Sequence, residues 1–211
     1  MTAQGGDRRP IAARELGVMQ RAAGWLVRRR ASANGISLAG MGAALLAGGC
    51  FAAVPHMPGA VRALWLLAAA LVQVRLLANL LDGMVAIGRG IASPVGELFN
   101  EVPDRVSDTA VLAGLGWAGG QPALGLGAAL AAMATAYVRA IGRAAGAPSD
   151  FRGPMAKQHR MAVVTAVAAW CALAPAAWSA PVPAAALWLI LAGALLTTMR
   201  RLLGAARALR P

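Results

Sequence analysis

The sequence predicts an all-α, polytopic membrane protein: six transmembrane helices preceded by an N-terminal interfacial amphipathic helix. Three observations carry this. Of the 211 residues, 59% are hydrophobic and only 13% charged, far from the balance of a soluble domain. The apolar residues gather in six stretches of roughly 15–27 residues, near the length a bilayer core demands. The basic residues lie between these stretches and alternate in density from loop to loop.

Residues 10–31 open the chain's ordered pattern. On a helical wheel Ile11, Val18, Met19, Trp25 and Leu26 fall within an arc of about 120°. Arg14, Arg21 and Arg28 border that arc, and Glu15 interrupts it. The expected spans follow at 36–54, 60–86, 104–119, 122–142, 161–178 and 182–203. A Gly-Gly-Gln-Pro turn at 119–122 separates the third from the fourth, and Ser179-Ala180-Pro181 the fifth from the sixth. Gly116, Gly120, Gly125 and Gly127 suit a tight turn and close helix contact. This divides the chain into an interfacial segment (1–33), a six-helix membrane domain (34–205) and a basic tail (206–211).

The net charge of +12 comes from 20 Lys and Arg against 8 Asp and Glu. The basic residues flank apolar runs, which favours lipid headgroups as partners and speaks against nucleic acid. Arginines crowd the N-terminal segment, the tail, and the loops carrying Arg89 and Arg152, Lys157 and Arg160. The alternate loops hold only His56 and Arg62. The positive-inside rule then places both termini and the second loop in the cytoplasm. Trp65 and Trp178 fall near the expected outer interface. The preference for Arg, with abundant Ala and Gly, suits a GC-rich bacterial genome, hence an inner membrane. Cys50 and Cys171 sit in apolar stretches and read as packing residues. No cleavable signal peptide is expected.

Five of the eight acidic residues lie between Asn79 and Asp108: Asp82, Glu97, Glu101, Asp104 and Asp108. Such a concentration beside apolar helices is costly and marks a functional site. Arg75, Asn79, Asp82 and Ala86 fall within about 60° on one helix face. Asn100, Asp104 and Asp108, spaced by four, form a second stripe, provided Pro103 lies in a first helical turn. Carboxylate and amide oxygens suit Mg²⁺, Mn²⁺ or Ca²⁺, and the absence of His and Cys from the segment argues against zinc. Gly83, Gly88, Gly90 and Gly96 would let a ligand approach the backbone. Arg75, inside a span, needs a polar cavity or an ion-pair partner.

The segment resembles the CDP-alcohol phosphatidyltransferases, whose signature reads D-x2-D-G-x2-A-R-x8-G-x3-D-x3-D. Asp82, Gly83 and Ala86 match its second Asp, first Gly and Ala; Gly96 and Asp104 match its second Gly and fourth Asp. Asn79 and Asn100 stand at the first and third Asp positions, and Ile87 at the Arg position, with Arg89 two residues on. Asn34-Gly35-Ile36-Ser37 resembles the N-x-[IL]-[ST] sequence that opens the family's first helix.

The resemblance implies transfer of a substituted phosphate from a CDP-alcohol to an acceptor hydroxyl, with release of CMP, in phospholipid synthesis. It implies a pair of Mg²⁺ or Mn²⁺ ions at Asn79, Asp82, Asn100, Asp104 and Asp108, with Asp104 also the general base. Gly83, Ala86, Gly96, Asn34 and Ser37 are the expected CDP-alcohol contacts. Arg105, Arg152, Lys157 and Arg160 are candidates for a phosphate on the acceptor or for the diphosphate. His159 reads as an interfacial residue. A homodimer is implied as well. The two asparagines remove two formal charges from the metal cage, for which Glu97, Glu101 and Asp108 are the available compensation. They keep open a degenerate, non-catalytic nucleotide- or lipid-binding protein of the same fold. A transporter reading lacks inverted repeats and broken helices.

Overall fold

The computed structural model describes residues 16–91 and 93–210, apart from the side chains of Pro94 and Glu97. The readings placed on Ile11, Arg14 and Glu15 therefore lie outside the described residues. Eight α-helices and two short 3-10 turns follow one another, with no strand among the described residues. They are α1 (Gly17–Arg28), α2 (Ala33–Ala53), α3 (Val61–Gly88), α4 (Pro94–Ala118), α5 (Pro122–Ala144), α6 (Lys157–Leu173), α7 (Ala176–Ser179) and α8 (Val182–Ala208).

Helix starts are set by caps that hydropathy does not register. Ser32 accepts a hydrogen bond from the Gly35 amide and starts α2 at Ala33, ahead of the expected Ile36. Ser93 does the same for Gly96, and Pro94 occupies the first turn of α4. The helix expected from 104 thus begins at Pro94, and Pro103 lies inside it rather than in its first turn. Lacking an N–H, Pro103 leaves the Phe99 carbonyl without its usual helical donor, a local weakness one residue before Asp104. The fifth expected span is shorter than its apolar stretch: α6 ends at Leu173, and α7 forms a separate turn. Pro175 separates the two.

Four segments are long and apolar enough to cross a membrane: Ala33–His56, Pro58–Gly88, Pro122–Ala144 and Ala176–Ala208. The chain therefore carries the helices of a membrane protein. Neither α4, with its acidic first half, nor the 17-residue α6 is among them. Six spans are not reached on length and composition.

Helix α2 packs along α3 and α4; α5 packs against α4 and α8; α6 lies against α3 and touches α8. The α2–α4 crossing is backbone on backbone. A Cβ at Gly48 would sit 2.4 Å from the Ala110 carbonyl oxygen, and one at Gly114 would sit 2.4 Å from the Gly48 oxygen. Only glycine permits that approach, which draws the two helices together above the acidic residues. The core runs through Phe51, Val72, Leu112, Leu115, Met161, Val164, Leu187 and Ile190. Trp65, expected at an interface belt, is 4% exposed and packs on Phe51 at 5.3 Å between ring centroids. Trp178 is 66% exposed. Cys50 and Cys171 are free thiols within helices. Short α1 lies on α3, with Leu16, Val18 and Trp25 exposed. Arg89 ties this region together by donating to the Arg30 and Ala31 carbonyls.

Candidate functional site

At one end of the bundle, α2, α3, α4, α5, α6 and α8 enclose a cavity of about 1160 Å³. Asn34, Ser37, Asn79, Asp82, Gly83, Ala86, Gly96, Asn100, Asp104, Arg105, Lys157 and Arg160 all line it. Two expected residues do not. Arg152 is 88% exposed in its side chain and is held by Asp150 at 3.0 Å. The Arg152 hydrogen bond holds the Asp150 carboxyl below its usual range. Asp108 lies deeper, 2% exposed, between two arginines.

The helical spacing on α3 and α4 produces the polar floor. Asn79 donates to the Asn100 side-chain oxygen at 2.8 Å, joining the two helices at the cavity. One turn of α4 further on, Asp104 accepts from Arg75 at 3.3 Å and from Lys157. Lys157 also donates to the Asn79 side-chain oxygen at 2.5 Å. One turn deeper again, Asp108 bridges Arg75 at 2.7 Å and Arg160 at 2.8 Å. Arg75 therefore takes the ion-pair alternative, and its partners are two of the expected site residues.

Asp82 differs from its neighbours. It is 4% exposed, accepts from the Ser37 hydroxyl at 2.5 Å and from the Gly83 amide at 2.5 Å, and has no cation partner among the described residues. A buried lone carboxylate is expensive unless something neutralises it. Beside it is a small cavity of about 10 Å³, lined by Ser37, Arg75, Asn79, Asp82, Asn100, Asp104 and Ser107 among others. Hydroxyl, amide and carboxylate oxygens around a hole of one-water size fit a hard divalent cation. Among the described residues no three His, Cys, Asp or Glu side chains converge as an ion cage. The fit therefore rests on Asp82 and neutral oxygens, with Asp104 a second carboxylate already paired to Arg75 and Lys157. Asp108, expected among the donors, is instead consumed by Arg75 and Arg160.

The loop after α5 delivers the cations. Arg201 of α8 donates to the Arg152 carbonyl at 3.1 Å and to the Thr135 carbonyl at 2.8 Å. Thr197 accepts from the Met155 amide at 3.0 Å. Gly153, at φ +138°, presses against Thr197 in a conformation that disfavours any side chain. Arg160 then donates to the Met155 carbonyl at 2.8 Å. These bonds aim Lys157, at the start of α6, into the acidic floor.

His159 contacts the Pro154 carbonyl at 2.9 Å within the same loop. Arg105 lies beside Glu101 at 3.5 Å and Asp104 at 3.8 Å. Arg139 and Arg143 on α5 also line the cavity, and sequence reading missed both. Arg139 pairs with Glu101 at 2.5 Å and stacks over Phe151 at 5.0 Å. Their spacing of four at the basic end of an apolar helix was the available signal.

No family model matches the chain, and no curated protein matches it. Solved structures do. The phosphatidylinositol phosphate synthase of Mycobacterium tuberculosis, with CDP-DAG bound, superposes with a TM-score of 0.73 at 22% identity, covering 89% of this chain and 93% of that one. The same enzyme in complex with manganese and citrate gives 0.75 at 21%, covering 89% and 88%. Its apo form gives 0.70 at 22%, covering 88% and 95%. The fold is therefore that of this synthase over nearly the whole of both chains.

Proposed function

We propose that this chain is an integral-membrane phosphotransferase that moves a substituted phosphate from a CDP-alcohol, best CDP-diacylglycerol, to an acceptor hydroxyl and releases CMP. The observation that carries the reading is the cavity floor. Asn79, Asp82, Gly83, Ala86, Gly96, Asn100 and Asp104 share one wall of it, at the motif's spacing. The synthase of the same fold, crystallised with CDP-DAG and separately with manganese, supports a nucleotide diphosphate there.

In this reading the diphosphate lies over the α3–α4 floor, with Asn34, Ser37, Gly83, Ala86 and Gly96 along the CDP-alcohol. Asp82, with the oxygens of Asn79, Asn100 and Asp104, would hold Mg²⁺ or Mn²⁺. When bound, the cation offsets the charge of the diphosphate and of the departing CMP. Asp104 accepts the proton of the acceptor hydroxyl as its oxygen attacks the phosphorus next to the alcohol. The bond from that phosphorus to the bridging oxygen breaks, and CMP leaves with the electron pair. Arg105, Lys157 and Arg160 supply positive charge for a phosphate on the acceptor or for the diphosphate. Arg139 and Arg143 extend that basic wall.

The same reading has six spans, counting α4 and α6, which neighbouring helices shield from lipid along part of their length. It places both termini and the cavity on the cytoplasmic side of a bacterial inner membrane, with α1 on the inner leaflet. It keeps residues 1–33, 34–205 and 206–211 as interfacial segment, catalytic domain and tail, and a homodimer as the assembly. The test is CMP release from CDP-diacylglycerol by purified protein in nanodiscs with Mg²⁺ or Mn²⁺ and a panel of hydroxyl acceptors. Turnover that vanishes in Asp104→Asn supports the assignment; no CMP with any acceptor refutes it. A second reading, a non-catalytic binder, is favoured by one observation: Arg75 and Lys157 already hold Asp104. CDP-alcohol binding without turnover would select it.

A further inference from the structure

We propose that the Lys157 ammonium is a built-in counter-ion that replaces one member of an expected metal pair, so that the site takes a single divalent cation, anchored on Asp82. The inference deepens the function proposed above and rests on it for the role of the metal.

Lys157 is the only lysine among the 20 Lys and Arg of the chain. Its Nζ sits between Asn79 of α3 and Asp104 of α4, two of the residues expected to share metal. An ammonium is a compact point charge with three donors, closer to a metal ion in size and reach than a planar guanidinium. Its side chain is 17% exposed, and the Gly153, Met155 and Thr197 contacts fix the loop that carries it.

Charge gives the same count. The innermost cluster holds three carboxylates, Asp82, Asp104 and Asp108, against three cations, Arg75, Lys157 and Arg160. It is neutral without metal. A bound nucleotide diphosphate, carrying two negative charges, leaves a deficit that one dication closes. A second dication would leave two uncompensated positive charges in a buried site. The two asparagines fit this arithmetic, since together they remove the charge of one dication.

At about 10 Å³ the small cavity has room for one water-sized occupant, and it shares Ser37, Asn79, Asp82, Asn100 and Asp104 with the larger cavity. Arg75 lines it, and its buried Nε and Nη1 have no hydrogen-bond partner among the described residues. The guanidinium adds to the positive charge already beside the cavity, so each further cation placed there costs more than the one before.

The experiment counts Mn²⁺ on the full chain in nanodiscs that contain saturating CDP-diacylglycerol, by equilibrium dialysis and electron paramagnetic resonance. One uncoupled Mn²⁺ per chain is expected. Lys157→Met should tighten Mn²⁺ binding at least about tenfold by removing a neighbouring positive charge, and Lys157→Arg should change it less than about threefold. Lys157→Met combined with Asn79→Asp and Asn100→Asp should bind two ions and show a spin-coupled spectrum. Two ions or none on the wild-type chain would overturn the inference. So would unchanged affinity in a Lys157→Met protein whose thermal transition matches wild type. CMP release, measured on the same samples, separates the readings. One ion without turnover removes the function and leaves the site; turnover with two ions removes the site and leaves the function.

Discussion

Replacing Asp108 with alanine should unlock the bundle from within. The carboxylate is 2% exposed and takes Arg75 at 2.7 Å on one oxygen and Arg160 at 2.8 Å on the other. It thereby joins α4 to both α3 and α6. Breaking a buried pair by removing one partner costs about 3–5 kcal/mol, because the remaining charge stays buried. Here two guanidinium groups lose a counter-charge at once. Each keeps one other acceptor: Arg75 still reaches Asp104 at 3.3 Å, and Arg160 still reaches the Met155 carbonyl at 2.8 Å. Those contacts place the expected loss near the lower end, about 3 kcal/mol. Equilibrium unfolding in mixed micelles measures it. Asp82→Asn is the matched control. Asp82 has no cation to abandon among the described residues, so its amide should change stability by less than about 1 kcal/mol while weakening Mn²⁺ binding. A double-mutant cycle with Arg160→Met should show coupling above about 1 kcal/mol for Asp108. An Asp108→Ala protein within about 1 kcal/mol of wild type would refute the account of this residue as a structural clamp.

Further outcomes follow from the geometry. Gly48→Val should force α2 and α4 apart, because its Cβ would begin 2.4 Å from a backbone oxygen; an overpacking cost of about 1–3 kcal/mol or more should appear as a lowered thermal midpoint. Arg152→Ala should leave the KM for a phosphate-bearing acceptor within about twofold, since its guanidinium is spent on Asp150 outside the cavity, while Arg105→Ala should raise it about tenfold. Thr197→Val should remove the acceptor for the buried Met155 amide, lower the thermal midpoint modestly, and cut CMP release by at least about tenfold at temperatures where the variant is fully folded.

The all-helical plan and the motif wall were legible because they depend on local periodicity. Asn79, Asp82 and Ala86 share a face at any helix phase, and Asn100 and Asp104 follow from a spacing of four. What escaped depended on caps and on distant partners. The first turns of α4 mix Gly96, Asn100 and Glu101 with Val95, Leu98 and Phe99, so hydropathy placed the helix at 104, whereas Ser93 and Pro94 start it. Asp108 shares Asp104's stripe, yet one more helical turn carries it out of the cavity and between Arg75 and Arg160. Spacing reports direction around a helix but not depth along it. Trp65 had the composition of a belt residue and became core because Phe51 lies opposite. Thr135, Thr197 and Arg201 carried no motif; Thr197 and Arg201 hold the loop across 42 and 49 residues of sequence, and Arg201 ties α8 to the Thr135 carbonyl of α5 across 66.

The position of Arg75 also bears on how such a chain can be made. It precedes Asp104 by 29 residues and Asp108 by 33, whereas Lys157 follows Asp104 by 53 and Arg160 follows Asp108 by 52. During synthesis the two aspartates emerge with a guanidinium already waiting on the preceding helix. The early hairpin of α3 and α4 can shelter its own charges before the later cations exist. Arg75 is thus the one cation of the network that precedes both aspartates in the chain, and the α3–α4 hairpin carries two of the ion pairs within itself.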